Sequence, residues 1–65
     1  MSNLQELDEA YAEYWDLSEM AKAAVINMKS AADPGVRKQL RDELRSLDTK
    51  REEALDKIDA IYDKA

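Results

Sequence analysis

Apolar side chains recur along this chain at alternating steps of three and four, in two runs separated by one break. In the first run Leu4, Leu7, Tyr11, Tyr14, Ser18, Ala21, Val25, Met28 and Ala32 occupy the a and d positions of four heptads. Ala10, Leu17, Ala24 and Ala31 lie beside that seam and widen it to the apolar stripe of a packed helix. In the second run Leu40, Leu44, Leu47, Arg51, Ala54, Ile58, Ile61 and Ala65 repeat the spacing, flanked by Val36, Leu55 and Tyr62. The break is Asp33-Pro34-Gly35, which holds the only Pro and the only Gly of the chain. Asp33 suits a helix N-cap and Pro34 the first helical position. The spacing predicts helix 1 over about 3–32, a turn at 33–35 and helix 2 over about 34–64. Ser2 with Gln5 and Asn3 with Glu6 form two overlapping capping boxes at the start.

So short a connection forces the helices to lie antiparallel. The expected fold is all-α: a single-domain, two-helix antiparallel hairpin over 1–65, coiled-coil-like. Volume matching favours a register in which Tyr11 meets Ala54, Ser18 meets Leu47, Ala21 meets Leu44, Leu7 meets Ile58 and Leu4 meets Ile61. Arg51 then falls near Tyr14, where it stacks on the ring and reaches Glu13 or Asp16, and along its own helix it forms an i,i+3 pair with Asp48.

Length changes the picture next. A chain of 65 residues buries only about 60% of its unfolded surface, so its stability is marginal. It has no Cys and no His, which removes disulfides and the common zinc sites as supports. Completion of the hairpin by oligomerisation or by docking on a partner is therefore expected. No cofactor and no metal is expected. Catalysis finds no nucleophile–base pair and no glycine-rich loop, so the chain does not read as an enzyme.

Charge is unevenly spread. Residues 1–20 hold six carboxylates and no Lys or Arg, whereas residues 34–65 hold eight of each sign. The net charge of −5 argues against direct nucleic-acid binding. No apolar run approaches the roughly 20 residues of a membrane span, and no signal-peptide pattern opens the chain. The expected location is the cytoplasm, or a particle assembled there.

Two surfaces carry the functional expectations. Met20, Ala23 and Ile26 are not needed by the seam and point outward, with Trp15 nearby. These four are the candidate protein-binding residues, since Trp is a common interface anchor. The expected function is a non-enzymatic protein–protein interaction module. It self-associates or docks as an accessory part of a larger assembly, such as a phage-type virion. The rival expectation is an acidic inhibitor. The stripe Glu6, Glu9, Glu13 and Asp16 would mimic nucleic-acid charge and block a DNA- or RNA-binding protein. Arg37, Lys38, Arg41 and Arg45, diluted by Asp42 and Glu43, read as a solvated, salt-bridged face.

The layout of two helices of about thirty residues joined by an Asp-containing bend is similar to that of Rop-type plasmid copy-number regulators. That resemblance covers architecture and length and implies a hairpin that dimerises into a four-helix bundle. It implies no shared function, because the first helix here is acidic along its outward face.

Overall fold

The computed structural model describes residues 3–64, with side chains from Leu4 onward. The expectations placed on Ser2, on the Asn3 side chain and on Ala65 lie outside the described residues. Two helices account for the fold: α1, Asn3–Ser30, and α2, Pro34–Lys64. No strand occurs among the described residues. The helices pack side by side as an antiparallel hairpin, a rod measuring 48 × 14 × 13 Å.

The turn is built by local hydrogen bonds. Asp33 caps α2: its Oδ1 accepts from the Gly35 N–H at 3.0 Å, and its carbonyl accepts from the Arg37 N–H at 3.1 Å. Pro34, which has no N–H to lose, opens the helix. Helix α1 ends at Ser30, two residues short of the expected end. There the Ala31 N–H donates to the Met28 carbonyl in a tighter, 3₁₀-like turn. The carbonyls left over at the end of α1 are served from across the turn. Arg37 donates from Nε to the Ala31 carbonyl at 2.9 Å and from Nη2 to the Ala32 carbonyl at 3.4 Å. A cation at this place also suits the negative end of the α1 dipole. Gly35 does not have positive φ.

Burial corrects the seam of α1. The buried residues are Ala10, Ala21 and Ala24 on α1 and Leu47, Ala54, Ile58 and Ile61 on α2. The stripe of α2 is the expected one. On α1 the buried line runs through Leu7, Ala10, Tyr14, Leu17, Ala21, Ala24, Met28 and Ala31, still at steps of three and four. Leu4 and Tyr11, expected in the seam, are exposed by 73% and 38%. Half of the expected seam is kept, at Leu7, Tyr14, Ala21 and Met28, while Ala10, Leu17, Ala24 and Ala31 replace Leu4, Tyr11, Ser18 and Val25 as its other half. The reason is size: Ala10 and Ala24 let the backbones approach closely, whereas Tyr11 in the seam would hold them apart.

The register moves with it. Ala10, Ile58 and Ile61 form one cluster, with Leu7 and Tyr14 packed against it. Arg51 lies against Tyr14 and Ser18, and Arg37 against Ala31. Continuing that spacing sets Ala21 opposite Leu47 and Ala24 opposite Leu44. Small still faces large, but through different pairs from those expected.

Candidate protein-binding surfaces

A two-helix rod has two grooves, one along each side of the shared seam. Position on the helix decides which groove a side chain reaches, because each residue turns about 100° from the last. The two grooves of this hairpin differ in chemistry.

One groove is charged. It is shallow, of about 330 Å³, and is lined by Glu6, Glu9, Ala10 and Glu13 from α1 and by Lys57, Ala60, Ile61 and Lys64 from α2. Lys57 Nζ sits 3.2 Å from Glu13 Oε2. Both partners are more than half exposed, so the pair contributes at most about 1 kcal/mol. The acidic stripe therefore has a basic opposite wall that helix 1 alone does not reveal. Glu9 and Asp16 remain exposed. Farther along α1, the same side carries Met20 and Ala23, both exposed.

The opposite flank is apolar. Tyr11 and Tyr62 meet across the helices with their hydroxyls 3.0 Å apart. Leu4 lies one heptad before Tyr11 on the same edge. The Trp15 ring stands edge-on to Tyr14, with centroids 5.7 Å apart. Tyr14 in turn shares a surface hollow with Leu55, Arg51, Asp48 and Glu52. Leu4, Tyr11, Trp15, Leu55 and Tyr62 are all exposed, by 38–73%. Five of the eight large apolar side chains exposed among the described residues thus lie on this one flank.

Arg51 underlies the flank. Its guanidinium carbon lies 5.5 Å from the Tyr14 ring centroid. Nε donates to Ser18 Oγ at 3.2 Å, Nη1 to Asp48 Oδ1 at 3.1 Å and Nη2 to the Tyr14 hydroxyl at 3.5 Å. The stacking on Tyr14 and the i,i+3 pair with Asp48 match the expectation, whereas the reach to Glu13 or Asp16 does not occur. The bond to Tyr14 and then that to Asp48 raise the pKa of Arg51 above its already high value, so it stays charged. The Tyr11 pKa is also raised, first by its hydrogen bond to Tyr62, then by desolvation and by the charges of Tyr62 and Asp59.

Of the four expected protein-binding residues, Met20, Ala23 and Ile26 follow one another at steps of three and are all exposed, whereas Trp15 lies apart from them. Trp15 and Met20 are five positions apart, about 140° around α1, so they face opposite grooves. Ile26, exposed by 55%, points away from the seam altogether. Trp15 instead belongs with Tyr11, Leu55 and Tyr62. The sequence already allows Trp15 to cover the groove next to Leu55, but placing Leu4 and Tyr11 in the core hides the rest of the group. The available signal was the neighbouring run Ala10, Leu17, Ala24 and Ala31. Taking that run as the seam lines up Leu4, Tyr11, Ser18 and Val25 along one edge, facing Leu55 and Tyr62.

Among the described residues no cluster of metal-binding side chains occurs, and no helix is long and apolar enough to cross a membrane. No protein-family model, no curated protein and no solved structure matches the chain.

Proposed function

We propose that this chain is a non-enzymatic protein-binding module, a hairpin that works as a structural part of a protein assembly in the cytoplasm or in a particle built there. One observation carries the reading: five large apolar side chains stay exposed together on one flank. Scattered exposed apolar residues are ordinary, whereas a contiguous apolar strip marks a surface meant to be covered by protein. Trp and Tyr, which dominate the strip, are the side chains that most often anchor protein interfaces. Met20 and Ile26 add apolar contacts on other faces, which suits a component with more than one neighbour. The inhibitor reading has less support. Glu13 is engaged by Lys57, and Lys64 lines the same groove, so the acidic row is interrupted by cations.

The test is photo-cross-linking of the full chain in the cells that produce it, with a photoreactive phenylalanine analogue at position 15, 26 or 42. Position 15 is expected to give protein adducts, and position 42, on the outward face of α2, none. Absence of adducts at both 15 and 26, or equal labelling at 42, overturns the reading.

A further inference from the structure

We infer that the apolar flank receives a helix of another protein, one with apolar side chains along one face and Lys or Arg at the edges of that face. The inference rests on the protein-binding reading above and names the chemistry of the partner. Three features of the flank support it.

The first is charge. The open-ended half of the rod, residues 4–20 and 49–64, holds eleven carboxylates against four cations. The five large apolar side chains of the flank all belong to this half. Asp8 stands one heptad before Trp15 and borders the strip on the α1 side. Glu52 shares a hollow with Leu55 and borders it on the α2 side, with Asp59 one heptad farther on. All three carboxylates are exposed. The cations of this half are placed elsewhere. Lys57 and Lys64 line the opposite groove, and Lys50 stands one heptad before Lys57 on that same edge. Arg51 is engaged beneath the flank by Asp48, Ser18 and Tyr14. An apolar strip between acidic edges is complementary to an apolar stripe between basic ones. It is not complementary to itself, since any arrangement that buries two such strips on each other brings their acidic edges together.

The second is shape. The strip lies between two helices, and helical backbone leaves no free edge on which a strand could add. A third helix can lie in the groove and touch α1 and α2 at once. The bond of Arg51 to Ser18 makes the floor polar beyond Trp15, which ends the strip toward the turn. From Leu4 to Trp15 the strip is roughly 16 Å long at 1.5 Å per residue. That length takes about three turns of the partner helix, with apolar contacts at steps of three and four.

The third is the kind of apolar surface. Three of the five side chains, Tyr11, Trp15 and Tyr62, are aromatic. The Trp15 ring leans on Tyr14 at an interplanar angle of 69° and is otherwise open, being 62% exposed. An open aromatic ring with a carboxylate nearby attracts a Lys or Arg through both the ring and the charge. The same surface offers little to an acidic partner.

Trp15 is the only tryptophan of the chain, so its fluorescence reports from the flank itself. The experiment titrates the purified full chain with a 14-residue peptide of Leu and Lys, its Leu residues at steps of three and four. Trp15 emission is expected to move to the blue and saturate, and binding to weaken by about tenfold between about 50 and 500 mM salt. Leu55→Gln, and separately Glu52→Gln with Asp59→Asn, should each weaken binding by about tenfold or more with circular dichroism unchanged. Glu6→Gln with Glu9→Gln, on the charged groove, should change it by less than about twofold. No shift at about 100 μM peptide overturns the inference, since even a small interface binds at that level. So does an equal shift with Glu in place of every Lys, an equal shift when Leu and Lys alternate as in a strand, or indifference to the flank variants. In cells, mass spectrometry of the adduct formed at position 15 should find a segment with apolar residues at helical spacing among Lys or Arg. An acidic segment, or one from this chain itself, overturns the inference while leaving the protein-binding reading intact. No adducts at 15 or 26 remove both.

Discussion

Arg37 shows how one side chain closes a turn. It starts on α2, yet it satisfies two carbonyls left without partners at the end of α1, while Asp33 caps the beginning of α2. The Asp33 cap was legible in the sequence, because an acidic residue before Pro has few other uses there. The reach of Arg37 was not, since it depends on where α1 stops, and that boundary fell two residues early. Gly35 has no conformational duty at this place. Its φ is not positive, and an added Cβ would meet its nearest atom, Asp33 Oδ1, at an ordinary 3.5 Å. Gly35→Ala is therefore expected to stabilise the hairpin by about 0.5–1 kcal/mol, by lowering the entropy of the unfolded chain. Chemical denaturation, comparing transition midpoints at equal slope, checks this.

At the scale of elements, the two helices differ in how openly their sequences declare a buried face. Helix α2 has one apolar stripe among charges, and its seam was readable position by position. Helix α1 has apolar or small residues at both Leu4-Tyr11-Ser18-Val25 and Ala10-Leu17-Ala24-Ala31, two stripes one position apart. Heptad spacing cannot choose between them. The choice is made by how closely α2 can approach, and alanine wins that contest against tyrosine. The losing stripe became the edge on which Tyr11 meets Tyr62. Because the folded state raises the Tyr11 pKa above 10.0, the neutral pair is favoured by folding. Its contribution is fully present below the ordinary tyrosine value and is lost as pH rises through the raised one. The melting temperature is expected to fall above about pH 10. In an absorbance titration of tyrosinate, Tyr62→Phe should return Tyr11 toward its usual midpoint. An unchanged Tyr11 midpoint in that variant would remove the hydrogen bond as the cause.

At the scale of the whole molecule, neither helix has a core of its own. Each buries its stripe only against the other, so the two should unfold together. Ile58→Ala removes one of the three large side chains buried among the described residues and is expected to cost about 2–5 kcal/mol, enough to unfold a marginal hairpin. Circular dichroism should then show helicity lost from both elements in one transition, while Ile26→Ala, at an exposed site, leaves the transition in place. The hairpin fold was legible because a single break between two periodic runs admits few arrangements. The apolar flank was not, because it exists only after the true seam is known. The charged groove was half legible: Glu6, Glu9 and Glu13 stood out, but Lys57 and Lys64 reach them only through the chain reversal.

That reversal also fixes how the rod responds to tension. Pulled apart at residues 3 and 64, the helices separate from one end, and load falls on one layer of side chains at a time. Tyr11 with Tyr62 is the first polar latch to part, Lys57 with Glu13 follows, and Arg51 parts later. Such a molecule peels open like a zip at modest force, whereas the same contacts loaded lengthwise would have to yield all at once.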